Sequence, residues 1–486
     1  MCAASAFPFG LRLPAHKQEA MARSLEAAAA PAQAAVLLDQ GSGRAALPCV
    51  EAGDRVRVGT AIGIDPETRN RVLHSPIAGV IRAIEQRPAG SGAGRGLCIV
   101  IDNDGTGDRD PALEPIDDAE RMRAPQWIEC LANSGIVGLG GAAFPTAVKL
   151  AAALAREATH LVLNGAECEP WICCDDALMR ARAPRILLGA RLLLRASGAG
   201  RCTIAVEDDK PEAIAALQSA CASQPDERIT IRAVPAVYPA GAERQLLTTI
   251  TGIEVPSGSV PSQTGLLCQN VGTAAAVADF AITGEPCIRR IVTINGGGVA
   301  RPGNLDALIG TPIAQLMAHC GGYRGTPQRL IAGGPLTGRA LADDSIGLTK
   351  AMNCLVAAST PDLAPRGVEV PCIRCGNCAD VCPAGLLPQQ LQRWAQAGAL
   401  ERAGALGLLD CIECACCDYV CPSQIPLTER FREAKSALAT REEGLRRAGD
   451  ARRRFERHQA RLQADAEAER RAFDEARRRA RGDGAN

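Results

Sequence analysis

The sequence of 486 residues is poor in aromatic side chains, in net charge and in long apolar runs. Aromatics make up only 3% of a chain that is 47% hydrophobic, so its cores must consist of Ala, Val, Leu and Ile. Its 54 Lys and Arg are balanced by 54 Asp and Glu, which argues against a nucleic-acid-binding protein. No apolar run reaches the about 18 residues of a membrane span, so we expect none to cross a bilayer.

Cysteine, in contrast, is abundant, with 22 residues. The first residues, MCAASAFPFGLRLPAHK, have neither the basic region nor the long apolar region of a secretory signal. Disulfide-rich secreted scaffolds are also usually much shorter than this chain. We therefore expect thiols in a reducing cytoplasm, some of them metal ligands.

Eight of the cysteines lie in two similar phrases, CIRCGNCADVCP from Cys372 and CIECACCDYVCP from Cys411. Each phrase has the spacing C-x2-C-x2-C-x3-C-P of bacterial ferredoxins, in which the fourth cysteine binds the cluster of the other phrase. The spacing predicts two [4Fe–4S] clusters. The predicted ligands are Cys372, Cys375, Cys378 and Cys421 for cluster 1, and Cys411, Cys414, Cys417 and Cys382 for cluster 2.

Cys416 stands beside a predicted ligand but off the spacing, so we expect it not to bind iron. Zinc is the alternative metal, but structural zinc sites more often show two separated CxxC pairs. We expect the other 14 cysteines, including Cys173 and Cys174, to be small buried hydrophobic residues.

The rest of the chain changes character several times, which predicts a multidomain α/β protein. Short Val- and Ile-rich runs indicate an all-β unit, and alternating helical and strand-like runs indicate an α/β domain with a mainly parallel sheet. The expected segments are an N-terminal arm (1–40), the β unit (41–105), the α/β domain (106–286), a small α+β module (287–340), a linker (341–365), a ferredoxin-like domain (366–428) and a charged helical or disordered tail (429–486).

The stretch SGIVGLGGAAFPTAVKL contains Gly138-x-Gly140-x-x-Ala143, the letters of a dinucleotide-binding fingerprint. That fingerprint requires a preceding strand, whereas QWIECLANSG has the pattern of a helix. A glycine loop before a helix can still bind phosphate through its amides, and Lys149 could add a positive charge. The alternative is a tight glycine turn that packs helices.

The stretch HLVLNGAECEP ends a buried strand at Asn164 and places Glu167 and Glu169 just beyond it. Ligands of α/β sheets bind at the carboxyl ends of strands. Asn164 could bond a flavin or ribose, and the carboxylates could bind ribose hydroxyls or a carboxamide. A solvated acidic turn is the alternative.

The combination of GLGGAAFPTAVK and NGAECEP resembles the flavin-binding, NADH-oxidising subunit of respiratory complex I. The whole chain is more similar to the RnfC subunit of Rnf ion-translocating ferredoxin:NAD oxidoreductase complexes. That similarity also covers PAHK, AGDRV, SPIAGVI, GAERQLL, CQNVGTAAAV, GGGVARPGN and the paired cysteine phrases. It implies a lipoyl-like barrel-sandwich hybrid for the β unit and a soluble-ligand-binding β-grasp fold for the module after residue 287.

The resemblance also implies FMN and NAD(H) as bound molecules. By comparison of the motifs, FMN is expected at the Gly138–Ala143 loop and near two further stretches, and NAD(H) beside it. The residues expected to bind these cofactors are Gly138, Gly140, Gly141, Ala143, Phe144, Lys149, Asn164, Glu167, Glu169, Gly241, Glu243, Asn270 and Thr273. No proton-transfer or other catalytic residue is expected, because hydride transfer needs stacking distance and orientation.

Three positions depart from the pattern of these families. Leu139 stands where complex I has Arg, and Ala143 where both families usually have Gly, so the loop could approach the phosphate less closely. The pair Cys173–Cys174 after Trp171 is also unexpected.

The resemblance implies a peripheral subunit on the cytoplasmic side of the bacterial inner membrane. Its expected partners are integral membrane subunits, a ferredoxin-type subunit and NAD(H), and its expected activity links ferredoxin oxidation to NAD+ reduction or the reverse. The alternatives are a soluble NADH-dependent flavin/iron–sulfur reductase, such as a cobalamin (corrinoid) reductase, and a non-catalytic scaffold with structural clusters. The long charged tail favours the complex-bound protein over the soluble reductase.

Overall fold

The structure, a computed structural model, describes residues 9–41, 44–65, 72–89, 94–363 and 367–482. Parts of the predicted arm (1–8), linker (364–365) and tail (483–486) therefore lie outside the described residues. The chain divides into two compact units, residues 1–386 with 414–425, and residues 387–413 with 426–486. The segment 366–428, predicted to form one ferredoxin-like domain, is shared between these two units.

The first unit begins with a short helix and a short strand, α1 (Gln18–Met21) and β1 (Glu26–Ala27). An all-β region follows, in two antiparallel sheets with the orders β2-β8-β7-β4 and β3-β5-β6. Its strands are β2 (Gln33–Leu37), β3 (Leu47–Pro48), β4 (Arg55–Val56), β5 (Ala61–Ile64), β6 (Val72–His74), β7 (Gly79–Pro88) and β8 (Arg95–Asn103). Residues such as Ile62, Ile81 and Ile99 point inwards and form its core.

The α/β region of the first unit contains a four-stranded parallel sheet covered by helices. Its elements are α2 (Ala124–Asn133), α3 (Thr146–Ala155), β9 (His160–Gly165), α4 (Cys174–Ser197), β10 (Arg201–Glu207), α5 (Pro211–Ser223), β11 (Ile229–Val234), α6 (Glu243–Thr251), β12 (Leu266–Asn270) and α7 (Val271–Thr283). Strand β9 is buried on both faces, as its unbroken apolar run predicts for a parallel strand between helices.

The long helix α4 contains a non-helical residue, Arg182, two positions before Pro184. Proline lacks the amide that continues a helix, so a break at this point is expected. Helix α4 also packs closely on α7, because a Cβ on Gly189 would lie only 1.9 Å from the carbonyl oxygen of Ala274. The packing brings the start of α7 next to the start of α4.

The sheet has the order β11-β10-β9-β12. The chain runs from β9 through β10 to β11 on one side and then returns to place β12 on the other side of β9. The order therefore reverses between β9 and β12, and such a switch point is where open α/β sheets bind ligands, beyond the carboxyl ends of the strands.

A second, mixed sheet completes this part of the first unit, in the order β1-β14-β13-β17-β15-β16. It contains β13 (Arg289–Asn295), β14 (Gly303–Leu308), β15 (Arg329–Ala332), β16 (Arg339–Ala340) and β17 (Cys354–Ala358), with helix α8 (Ile313–His319). Leu316 and Met317 of α8 share a core with strand residues such as Ile294 and Leu355.

Five further helices are present: α9 (Asn377–Asp380) and α12 (Cys416–Tyr419) in the first unit, and α10 (Pro388–Gln396), α11 (Leu400–Ala405) and α13 (Leu427–Gly482) in the second. The first turns of α13 pack on α10 and α11 through buried residues such as Phe431 and Leu438. From residue 451 to 482 every side chain of α13 is exposed. The predicted fold class, a multidomain α/β protein with a helical tail, is confirmed.

Candidate functional site

The candidate site lies at the switch point of the parallel sheet. Asn164, near the end of β9, is the register partner of Asn270, the last residue of β12. The Asn270 side chain caps helix α7 by accepting from the amide of Gly272 at 2.8 Å, and it donates to the Asn164 carbonyl oxygen at 3.3 Å. Two residues expected to contact the flavin therefore lie side by side.

The glycine loop between α2 and α3 is fixed beside this point through Leu139. The Leu139 amide donates to the Thr273 hydroxyl at 2.9 Å, and the Leu139 carbonyl oxygen accepts from the Arg290 guanidinium at 3.0 Å. Gly140 lies against Asn270, since a Cβ at Gly140 would be 3.4 Å from that of Asn270. The loop is thus held by α7 on one side and by β13 on the other.

The tip of the loop has backbone groups available for a ligand. In the described part of the chain, the amides of Gly140, Gly141 and Ala142 have no protein acceptor. Gly141 has a φ of +112°, and a Cβ built there would meet no atom within 4 Å. Ala143, the predicted departure from Gly, is buried and also has a positive φ of +48°. The aromatic residue Phe144 is 49% exposed.

Lys149, on α3, forms an ion pair with Glu243, the first residue of α6, at 2.5 Å from Nζ to Oε1. Burial disfavours the charged ammonium, but the negative charge of Glu243 outweighs this effect and raises the Lys149 pKa. The structure therefore brings together a lysine predicted for FMN and a glutamate predicted for NAD(H).

Asn164 also fixes the loop that begins α6. Its Nδ2 donates to the Gly241 carbonyl oxygen at 2.8 Å, and its Oδ1 accepts from the Ala166 amide at 2.9 Å. Gly241 passes so close to this strand end that a Cβ would lie 2.5 Å from the Ala166 carbonyl oxygen and 3.1 Å from the sulfur of Cys168. Only glycine allows this approach.

Glu167 caps the amino end of helix α4. Its carboxylate accepts from the amides of Asp175 at 2.8 Å and Asp176 at 2.9 Å, and from the Cys174 thiol at 3.3 Å. Its carbonyl oxygen accepts from the buried ammonium of Lys17. The acidic loop therefore has a structural use, because a carboxylate stabilises the free amides at a helix start.

Glu169 points to the β-grasp-like sheet region. Its carboxylate accepts from the amides of Leu336 and Thr337, both at 2.8 Å, and from the Thr337 hydroxyl at 2.6 Å. Gly334 makes room for it, since a Cβ there would lie 2.2 Å from the Glu169 carboxyl carbon. The role predicted for Glu169 beside the nucleotide stays a prediction.

The sequence reasoning missed Asp175 and Arg290, which both line a cavity of about 70 Å³ behind the glycine loop. Asp175 accepts from the Asn270 side chain at 2.6 Å. Burial and then the charge of Glu167 raise the pKa of Asp175 far above its usual range. Asp175 could have been noticed as an acid in the first turn of a helix, whereas no local pattern marks Arg290.

The two cysteine phrases repeat one backbone conformation. The first is left-handed at Arg374 and Gly376, with φ of +60° and +89°, and the second at Glu413 and Ala415, with φ of +57° and +60°. Each then enters a one-turn helix, α9 or α12. Cys416 corresponds to Asn377 in this repeat and is fully buried.

Two contacts in the first unit cross between the phrases. The Val370 amide donates to the Ser423 carbonyl oxygen and the Ser423 hydroxyl to the Pro371 carbonyl oxygen, both at 3.1 Å. This brings the residues after Cys421 next to those before Cys372.

The surroundings of Cys382 also reach the other phrase. Burial raises the pKa of the Cys382 thiol, and the amides of Leu386, Ala384 and Gly385 act to lower it. A negative charge on Cys414 raises it again, which means that these two sulfurs are near neighbours.

The remaining predicted ligand, Cys411, belongs to the second unit. There its sulfur accepts from the Glu413 amide at 3.4 Å, and its carbonyl oxygen accepts from Lys435 at 2.6 Å. Lys435 and Arg432 of α13 both pair with the Glu413 carboxylate at 2.9 Å. The base of α13 therefore fixes this end of the phrase.

Cys173 and Cys174, which had no predicted role, are both buried. The Cys173 sulfur lies 3.4 Å from the Asn304 amide nitrogen, and its own amide donates to the Thr293 hydroxyl at 3.0 Å. The Cys174 thiol donates to Glu167. The pair therefore packs the start of α4 against β13 and β14, as expected of small buried residues.

A glycine loop at the switch point of a parallel sheet, joined to a two-phrase cysteine segment, defines an iron–sulfur flavoprotein. Family profiles match the same regions. They are the RnfC barrel-sandwich hybrid domain over residues 5–106, the Nuo51 FMN-binding domain over 131–279, the SLBB domain over 291–340 and the 4Fe–4S dicluster domain over 371–425. The FMN and [4Fe–4S] cofactors predicted for the chain are confirmed by these matches.

Curated proteins named as the RnfC subunit of the ion-translocating oxidoreductase complex are similar to nearly the whole chain. The protein from Pseudomonas aeruginosa is 44% identical over 96% of this chain and 60% of its own length. Those from Vibrio cholerae and Serratia proteamaculans are 39% and 38% identical over 94% of this chain, and over 59% and 65% of their own lengths. The chain is thus homologous to the RnfC subunit of these complexes, which confirms the predicted resemblance. It spans about 60% of the length of these relatives.

Proposed function

We propose that this chain is the NAD(H)-interacting peripheral subunit of a membrane-bound, ion-translocating electron transport complex. It passes electrons between NAD(H), FMN and two [4Fe–4S] clusters, and so links ferredoxin oxidation to NAD+ reduction or the reverse. The observation that carries the proposal is one chain that joins a loop with free amides at a sheet switch point to the paired cysteine phrases.

The residues of the switch point fit FMN. Three consecutive free amides of the Gly140–Ala142 tip and the open space at Gly141 suit a phosphate, which amides of a loop before a helix bind well. Gly138 and Ala143 close the loop, since the Ala143 amide donates to the Gly138 carbonyl oxygen at 3.1 Å. Lys149 adds a cation on the following helix, and Asn164, Asn270 and Thr273 fix the walls.

For NAD(H) we propose the side of the site formed by Phe144, Gly241 and Glu243. The exposed ring of Phe144 offers a stacking surface, and Gly241 leaves open the approach to the sheet end. Glu167 and Glu169 contribute by fixing the loop between β9 and α4, because their carboxylates are already bound by amides.

The cysteine phrases fit two clusters with exchanged fourth ligands. The contacts of Ser423 with residues 370 and 371 support Cys421 as a ligand of the first phrase, and the charge effect of Cys414 supports Cys382 as a ligand of the second. Amides directed at the Cys382 sulfur suit a thiolate ligand, because hydrogen bonds to sulfur tune iron–sulfur clusters. We therefore propose Cys372, Cys375, Cys378 and Cys421 for cluster 1, and Cys411, Cys414, Cys417 and Cys382 for cluster 2.

Bound FMN supplies the exchange between a carrier of electron pairs and carriers of single electrons. The chain itself binds, orients and excludes water, and it needs no acid or base for hydride transfer. Within the described residues no helix combines the length and apolar character that a bilayer crossing requires. We propose that the chain sits on the cytoplasmic side of the inner membrane, on integral membrane subunits and a ferredoxin-type subunit.

The soluble cobalamin-type reductase is the weaker candidate. The similar proteins described above carry the name of the complex, and the matched barrel-sandwich hybrid profile is that of RnfC. Genes for membrane subunits beside this one would support the complex, whereas neighbouring diol-dehydratase genes would favour the reductase.

The function is tested by purifying the full chain without oxygen and measuring flavin, iron and the response to NADH. We expect one FMN, about eight irons, and loss of both the flavin and the iron–sulfur absorbance when NADH is added. A protein with clusters but no flavin, or one whose spectrum NADH leaves unchanged, would contradict the proposal.

A further inference from the structure

Two side chains of the α/β region reach the cysteine phrases. The Tyr238 hydroxyl donates to the carbonyl oxygen of Cys414 at 2.5 Å, and the Gln245 amide donates to the carbonyl oxygen of Pro383 at 3.4 Å. Pro383 follows Cys382 directly. Both contacts therefore touch residues that are proposed ligands of cluster 2, or adjacent to one, although they come from different phrases.

Tyr238 and Gln245 belong to the same segment as the proposed nucleotide residues Gly241 and Glu243. Tyr238 is 4% exposed, so its hydroxyl is committed to the Cys414 carbonyl in a dry environment. Glu243 pairs with Lys149 across the candidate flavin site. One short stretch thus spans from the flavin site to the backbone of cluster 2.

The first phrase has the opposite surroundings. Cys372 and Cys375 are exposed, and Ile373 between them is 66% exposed. In the second phrase, Cys417 is buried, and so is Cys382, its proposed partner. One cluster is therefore expected inside the protein and the other at its surface.

We propose that electrons pass from the flavin to cluster 2 first and leave through cluster 1, with Tyr238 as the positioning residue between flavin domain and cluster 2. The inference rests on the proposed function and gives it an order. NADH loses two electrons and a proton, the proton goes to water, and the electrons cross one at a time, each transfer oxidising the donor and reducing the acceptor.

The first test replaces Tyr238 by Phe, which removes only the hydroxyl. Tyr323→Phe is the matched control, because the Tyr323 hydroxyl donates to Asp344 at 2.9 Å in the β-grasp-like region. A hydroxyl bonded beside a thiolate ligand withdraws electron density from it, and such contacts tune cluster potentials. We expect Tyr238→Phe to keep its iron and flavin and to lower the reduction potential of one cluster in an EPR-monitored titration, while Tyr323→Phe changes neither potential.

The identity of the shifted signal comes from Cys375→Ser, which removes cluster 1. We expect the signal shifted by Tyr238→Phe to be the one that Cys375→Ser retains. A shift in the other signal, or no shift beyond that of Tyr323→Phe, would overturn the proposal. The Tyr238→Phe titration alone remains decisive if Cys375→Ser fails to fold, because unequal broadening by a soluble paramagnetic gadolinium chelate identifies the exposed cluster.

Stopped-flow mixing with NADH tests the order itself. In Cys375→Ser the remaining cluster should be reduced as fast as cluster 2 of the wild type, whereas in Cys417→Ser flavin reduction should persist and the remaining cluster should fill slowly. The reverse pattern refutes the order. Failure of NADH to reduce the wild-type flavin would instead refute the proposed function, so the two failures can be told apart.

Discussion

Lys149 and Glu243 are joined by an ion pair of 2.5 Å that connects helix α3 to the start of helix α6. The ammonium stands one turn into the helix that follows the glycine loop. Its partner begins the helix that we propose to carry part of the NAD(H) site. The pair therefore links the two halves of the candidate site, and changing either residue should report on both.

Lys149→Ala should lower the amount of FMN that purifies with the protein, because it removes the cation proposed to face the phosphate. It also leaves Glu243 unpaired, so Glu243→Gln is needed beside it, which keeps Lys149 and should retain the flavin. Lys210→Ala is the matched control, since Lys210 is a buried lysine paired with Asp209 at 2.9 Å elsewhere. Flavin content equal to wild type in Lys149→Ala would show that the phosphate lies elsewhere.

Gly141→Ala should reduce flavin content together with stability. A left-handed backbone of φ +112° is costly for alanine, by about 1–2 kcal/mol, while the free space means that no clash adds to it. The control is Gly105→Ala, which has φ of +75° and equally open space at the end of β8. Both variants should lose thermal stability, but only Gly141→Ala should lose FMN. Equal flavin in the two variants would count against the loop as the phosphate site.

Cys421→Ser should damage cluster 1, although Cys421 lies in the second phrase. The contacts of Ser423 with Pro371 and Val370 place this cysteine beside the first phrase. The EPR spectrum of the variant should lack the same signal as that of Cys375→Ser. Cys416→Ser provides the control, because Cys416 is buried but off the ligand spacing, and should keep both signals. Loss of the other signal in Cys421→Ser would show that each phrase completes its own cluster.

Glu207 should make the protein less stable as the pH rises. Burial raises its pKa from 4.5 to about 7, although Lys17 and Lys210 act to lower it. The folded state therefore holds a proton that the unfolded chain releases, and this contribution is complete below about pH 4.5 and lost as the pH rises through 7. The shift corresponds to a loss on the order of 3 kcal/mol across that window.

The measurement is the thermal midpoint of wild type and Glu207→Gln between about pH 5 and pH 8, which brackets the raised pKa. Glu207→Gln keeps the shape of the neutral side chain, so the wild type should fall relative to it as the pH increases. Glu212→Gln, an exposed glutamate on α5, should leave the pH dependence as it is. A constant difference between wild type and Glu207→Gln would mean that Glu207 titrates normally.

The parts of this molecule that could be predicted are those encoded by local spacing. The cysteine phrases carry their ligand pattern in a short stretch each, and the apolar run of β9 predicts a buried strand without knowledge of its neighbours. The resemblance in the glycine and acidic loops indicated the flavin domain. The adjacency of Asn164 and Asn270 required the strand order, which periodicity does not provide.

Long-range polar partners were out of reach of the sequence. Glu169 has the pattern of a nucleotide ligand, yet its carboxylate meets the amides of Leu336 and Thr337, which are far away along the chain. Arg290 gives no local signal, because its function depends on the Leu139 carbonyl that folding brings to it. Such residues are found only when the separate regions are seen together.

The contact of Arg290 with Leu139 also makes the glycine loop a shared element of two regions. Strand β13 steadies the loop, and by thermodynamic reciprocity anything that steadies the loop must steady β13 to the same extent. Occupancy of the flavin site would then slow amide hydrogen exchange in the six-stranded sheet, which has no direct part in the redox chemistry. A region that resembles a small-ligand-binding module would in this way report the cofactor state of its neighbour.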